Sequence, residues 1–221
     1  YPCINPLAAE QGERLWPAFG LDQNRQFPGR SNGHPPSQLA FRLLEDLRDV
    51  DLVIELRGAR PGFEELPQAM IQERYAESQP FPDVTLLDVS RHCNTSIVWK
   101  RTNGPSAVQT FAYQFENAII IEGGQGNRLT ANVGDIFRDG CLYLLTKTGV
   151  LPEQLLPFPW MAMEDPLLAT DADIIRSRTS CAGLFLPTTT LGANISEGEE
   201  VGTVVDPRTG QTIEVLTSTV S

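Results

Sequence analysis

The apolar residues fall into helical and strand-like textures along most of the chain, with a change of pattern near the C-terminus. Ser37 stands before a stretch in which Leu39, Ala40, Leu43, Leu44 and Leu47 share one face at helical spacing, which predicts a helix capped by Ser37. The run VDLVIEL, Val50 to Leu56, follows at once and reads as a short buried strand, making an αβ unit suited to a sheet covered by helices. A second helix is expected over Pro67 to Glu77, then a strand in DVTLLDVS, Asp83 to Ser90. Ala107 to Phe115 again has helical spacing, and NAIIIEGG gives a buried strand, Ala118 to Glu122, stopped by Gly123-Gly124. A long amphipathic helix is predicted over Asn132 to Thr148.

Before the first of these helices the chain is rich in Pro, Gly and Asn. It reads as loop with a short helix around Glu10 to Leu15. Beyond Val150 the texture shifts to a proline-rich crossing segment, LPEQLLPFPW, Leu151 to Trp160. After about Asp165 short strands alternate with glycine turns in GLFLPTTTLG, ISEGEEVGTVVDPRTG and QTIEVLTSTV. That grammar predicts a smaller β domain whose last strand, Thr212 to Val220, runs to the end of the sequence.

Composition narrows the function classes. With 221 residues, 41% hydrophobic and 20% charged, the chain is an ordinary globular sequence, and no apolar run approaches the ~18 residues of a membrane span. A net charge of −11 argues against nucleic acid or anionic membrane as partner, since both need a basic surface. Cys3, Cys93, Cys141 and Cys181 are widely spaced, without a Cys-x-x-Cys pair, and read as reduced thiols of a cytoplasmic protein.

Few residues offer chemistry on their own. His34 and His92 are the chain's histidines, neither has a ligand-type neighbour at metal-site spacing, and both read as structural or solvent-facing. No Gly-x-Ser-x-Gly elbow occurs, and GGQGN, Gly123 to Asn127, lacks the Lys-Ser/Thr of a phosphate loop. Glu122 ends a buried apolar strand, where desolvation would raise its pKa and suit it to general-base work; the alternative is a strand-end Glu satisfied by the Gly-Gly turn. Glu55 and Arg57 hold the matching place on the earlier strand and read first as a structural ion pair. Asn24-Arg25, in LDQNRQFPG, is either a surface turn or a fork that grips a carboxylate.

Taken in order, INPLAAEQGERL, DQNRQFPG, DLVIELRGA, IIIEGGQG and GLFLPTTTLGANISEGEEVGTVVD resemble the succinylglutamate desuccinylase/aspartoacylase family of the zinc carboxypeptidase clan. The resemblance implies an α/β fold, with a mixed-sheet carboxypeptidase-like domain over 1–160 and a small all-β, lipoyl-like half-barrel domain over 161–221. It further implies a zinc-dependent deacylase, a hydrolase that cleaves the amide of an N-acyl amino acid or similar small carboxylate. Asn24 and Arg25 would orient the substrate's carboxylate, and Glu122 would be the catalytic base. The partner expected is thus a small-molecule carboxylate, with a homo-oligomer or a partner chain as further options.

This sequence departs from the family pattern in three places. Two zinc ligands belong to a His-x-x-Glu segment expected upstream of Asn5-Pro6, ahead of Tyr1. The third ligand, a His after Asp-Leu, is Arg57 in Glu55-Leu56-Arg57, so no metal ligand is assigned and Arg57 becomes a substrate-binding candidate. Gln23 replaces the loop's usual Leu. The sequence therefore leaves two alternatives: a deacylase with an altered metal site, or a metal-free pseudoenzyme acting as a carboxylate-binding or partner subunit.

Overall fold

In the computed structural model, which describes residues 1–128, 130–152 and 165–219, the chain divides into two compact units, Tyr1–Asp171 and Ala172–Ser221. The first unit begins with α1 (Pro6–Glu10), β1 (Leu15–Trp16) and β2 (Leu21–Asp22), followed by α2 (Pro35–Asp46). Its sheet is formed by β3 (Val53–Gly58), β4 (Glu64–Gln72), β5 (Ile97–Arg101), β6 (Ala118–Gln125) and β7 (Leu167–Thr170). Helices α3 (Leu86–Ser90) and α4 (Ala131–Lys147) complete it. The sheet is mixed, in the order β3-β6-β4-β5-β7, with only the β4/β6 pair antiparallel.

Alternation along β6 explains its central place. Ile119 and Ile121 point into the main core with Leu86, Val89, Val98 and Leu144, while Ile120 faces the opposite side. Burying each large aliphatic side chain contributes about 1.5–3 kcal/mol before entropy is counted. Contrary to the stop expected at Gly123-Gly124, β6 continues to Gln125 because Glu64 and Glu65 of β4 pair with its glycine end.

Two predicted elements exchange type. Pro67 to Glu77 is not a helix: β4 occupies Glu64–Gln72, and a 3-10 turn follows at Glu73–Tyr75. As an inner strand, β4 buries Ala69 to Gln72 consecutively, and that erases the period-two signal. Conversely, the expected strand Asp83 to Ser90 contains α3. Thr85 and Asp88 form a reciprocal capping box, and Leu86 and Val89 bury one helical turn apart.

The other differences are smaller. The first helix lies at Pro6–Glu10 rather than Glu10 to Leu15, because the Asn5 side chain accepts the Ala8 N–H and Pro6 occupies the first turn. Helix α2 is capped by His34 Nδ1, and Ser37 supplies the N–H donor instead of the cap. The strand expected over Val50 to Leu56 lies at Val53–Gly58, which brings Arg57 fully into the sheet. Ala107 to Phe115 is spanned by two 3-10 turns, Pro105–Gln109 and Ala112–Gln114, rather than one helix. Helix α4 closely follows the amphipathic pattern. Most of the proline-rich segment, residues 153–160, and the end of the last expected strand, Val220, lie outside the described residues.

The second unit contains β8 (Leu184–Pro187), β9 (Glu200–Val205) and β10 (Thr212–Thr217), an antiparallel sheet with β9 in the middle. Val204 is buried, and the Glu214 carboxylate accepts the Ser180 N–H. Among the described residues no helix is long and apolar enough to cross a membrane.

Candidate functional site

Three side chains meet where β3 and β6 end. The strands are parallel neighbours with Arg57 directly beside Glu122 and Glu55 beside Ile120, so these side chains share one sheet face. They line a cleft of about 660 Å³ in the first unit, within the usual size range of small-molecule sites.

Arg57 is the centre of the cluster. Its Nε donates to Glu55 Oε1 and its Nη2 to Glu55 Oε2, both at 2.7 Å, a bidentate fork. Its Nη1 lies 3.7 Å from Glu122 Oε2. The side chains of Arg57, Glu55 and Glu122 retain only 22%, 17% and 15% of their exposure, so water screens them weakly. Burial opposes the charge on Arg57, but the Glu55 hydrogen bonds and the nearby carboxylates outweigh it and hold the pKa above its ordinary value. Burial also raises the pKa of Glu122. Arg57 opposes that shift, Glu65 reinforces it by charge and by a hydrogen bond, and Arg101 opposes it; the net direction is upward.

The Leu21–Gly33 loop forms another wall. Asp22 Oδ1 accepts the Asn24 N–H at 2.9 Å, and Asp22 Oδ2 pairs with Arg14 at 2.5 Å. Gln23, at the position where the family has Leu, is buried yet satisfied: its Oε1 accepts from Trp16 Nε1 and its Nε2 donates to the Pro36 carbonyl. Phe27 packs with Ala40, Leu43 and Phe111, and the Phe27–Pro28 peptide is cis. Gly29 has φ +77° and passes under the Ser37 carbonyl, where a β-carbon would collide.

Asn24 and Arg25 do different things there. Asn24 Oδ1 accepts the Phe111 N–H at 2.7 Å, and the residue lines the cleft. Arg25 is exposed at the rim, and its Nη1 donates to the Asn24 carbonyl at 2.7 Å. Asn24, Arg25, Arg57 and Glu122 thus all line one cleft. The histidines lie elsewhere. His34 caps α2, while His92 packs edge-on to Tyr143, its pKa lowered by burial and by the Lys147 charge.

Sequence reasoning missed Arg14, Asp22, Arg101 and Glu65. Arg101 lines the cleft from β5, a strand whose β-branched and aromatic run IVWKR was the available signal. Glu65 reaches Glu122 through the antiparallel β4/β6 pairing, and nothing local in the sequence announces that.

The residues present do not fit the zinc ion implied by the family resemblance. At the position expected to supply the third ligand stands a guanidinium, which has no lone pair to give. A dication 4 Å from it would meet a repulsion of about 8 kcal/mol at an effective dielectric constant near 20. Among the described residues no group of three or more His, Cys, Asp or Glu side chains is arranged to hold a metal.

No family sequence model matches the chain, and no curated protein matches it by sequence. Solved structures do match in three dimensions. The product-bound ectoine utilization protein EutE (DoeB) of Ruegeria pomeroyi superposes with a TM-score of 0.76 at 20% identity, covering 99% of this chain and 66% of that one. A succinylglutamate desuccinylase/aspartoacylase of Rhodobacter sphaeroides gives 0.73 at 20%, with coverages of 97% and 65%. An aspartoacylase family protein of Mesorhizobium loti gives 0.67 at 22%, with coverages of 100% and 65%. The chain spans just under two thirds of the length of these structures. Its fold is that of the succinylglutamate desuccinylase/aspartoacylase proteins.

Proposed function

We propose that this chain is a deacylase-type hydrolase of the succinylglutamate desuccinylase/aspartoacylase family, cleaving the amide of an N-acyl amino acid or a similar small carboxylate at a site altered from the family's zinc arrangement. The observation that carries this reading is Glu122: a carboxylate with a raised pKa, on an inner strand, lining a cleft that also holds Asn24, Arg25 and Arg57. Glu122 takes a proton from the attacking water and returns it to the leaving amine. Asn24 Nδ2 and the Arg25 guanidinium hold the substrate carboxylate at the rim, while Arg57 presents positive charge deeper inside.

A second reading has its own support. Glu55 occupies the Nε/Nη2 edge of Arg57, and Nη1 lies toward Glu122, an arrangement that also serves a metal-free subunit that binds a carboxylate without turning it over. The net charge of −11 fits, in either reading, a small-molecule partner rather than nucleic acid or anionic membrane. A panel of N-acetyl and N-succinyl amino acids, assayed for released amine with wild type, Glu122→Gln and Arg25→Ala, separates the two readings. Turnover that is lost in Glu122→Gln supports the hydrolase. Binding without turnover in every preparation supports the second reading.

A further inference from the structure

The cleft contains a cation that belongs to the protein. Arg57 lies in register with Glu122 on neighbouring parallel strands, and the Glu55 chelate fixes its guanidinium plane through Nε and Nη2. Nη1 is thereby left 3.7 Å from Glu122 Oε2, and both residues line the cleft. A guanidinium held through two of its nitrogens loses little further rotamer entropy when an anion arrives. Around it the lining is of mixed charge rather than uniformly acidic: Asp22, Glu55 and Glu122 against Arg14, Arg25, Arg60 and Arg101.

We propose that Arg57 is a built-in replacement for a divalent metal, so that the cleft binds the anionic end or the polarised carbonyl of its ligand through Nη1 and excludes a metal ion from the place beside Glu122. This rests on the cleft being the substrate site, but it concerns metal and ligand occupancy rather than turnover. It also gives Glu55 a defined task, as the positioning residue that orients the guanidinium.

The test uses the full chain as wild type, Arg57→His, Arg57→Lys, Arg57→Gln and Glu122→Gln, each checked by circular dichroism for retained structure. Zinc uptake is measured by equilibrium dialysis, and N-acetyl-L-aspartate binding by calorimetry with and without chelator. Wild type is expected to take up no zinc that depends on Glu122 and to bind the probe equally with chelator present. Arg57→His, which places an imidazole between Glu55 and Glu122, gains one zinc, and adding Glu122→Gln abolishes it. Arg57→Gln weakens the probe by about tenfold or more, the loss expected from one charge-assisted contact, and Arg57→Lys restores part of it. One zinc per wild-type chain that disappears in Glu122→Gln overturns the proposal. So does probe binding that is absent in wild type, lost with chelator, or undiminished in Arg57→Gln. Failure to hydrolyse any N-acyl amino acid, with these occupancies as expected, counts against the hydrolase reading alone.

Discussion

Replacing Arg57 with methionine removes the positive charge while keeping much of the side chain's apolar volume, and its cost can be worked out. The substitution breaks two hydrogen bonds of 2.7 Å to Glu55 and a charge contact of 3.7 Å to Glu122, leaving two largely buried carboxylates without their Arg57 partner. Breaking a fully buried pair by removing one partner costs about 3–5 kcal/mol. Exposures of 15–22% let water recover part of that, so about 2–3 kcal/mol is expected at pH 7. For a chain of this size that is a fall in Tm of about 4–12 °C. The sign with pH follows from Glu122, whose folded pKa lies above its unfolded value. Its stability contribution is fully present below the unfolded pKa and is lost as pH rises through the folded one. Removing Arg57 raises the folded pKa further, so the deficit is largest at neutral pH and shrinks as pH falls toward the ordinary Glu value of about 4.3. Urea titrations followed by tryptophan fluorescence report on it, with Trp16 and Trp99 in the first unit. A variant within about 0.5 kcal/mol of wild type at pH 7, or a deficit that does not change with pH, would refute the idea that Arg57 compensates these carboxylates.

Three further outcomes follow from the same geometry. Asn24→Ala leaves the Phe111 N–H without its acceptor and is expected to destabilise the first unit by about 1–2 kcal/mol in thermal melts, besides weakening carboxylate binding. In the proposed reaction Glu122 acts as a base in its ionised form, so with its pKa raised the acid limb of kcat/KM is expected to lie above the ordinary Glu value, measured as a pH–rate profile. Cys93 is fully buried in the main core and its thiol pKa is pushed up by that burial, so native alkylation followed by mass spectrometry should modify exposed Cys3 first and Cys93 only on unfolding.

What was legible in the sequence, and what was not, divides along physical lines. Helix α4 carries a one-sided pattern because one face packs on the sheet, and the apolar run of β6 could be read for the same kind of reason. Strand β4 could not, since an inner strand buried on both faces loses its alternation and its Leu66, Ala69 and Met70 mimic helical spacing. Helix α3 was announced by Thr85 and Asp88, a cap signal outweighed in sequence by the apolar run it introduces. At the site, Asn24, Arg25, Glu55, Arg57 and Glu122 each stood out locally, but only the β3/β6 register shows that Arg57 lies beside Glu122. Glu65 and Arg101 enter through pairings distant in sequence, which local patterns do not encode.

The most direct test of the proposed chemistry is the rate of amine release from N-acyl amino acids by wild type and Glu122→Gln, measured side by side with chelator present. Wild type is expected to show measurable turnover under these conditions, with a loss of roughly 10²–10⁴-fold in the variant, the range for removing a general base. Turnover that survives Glu122→Gln unchanged, or wild-type turnover that vanishes with chelator and returns with zinc, would contradict it.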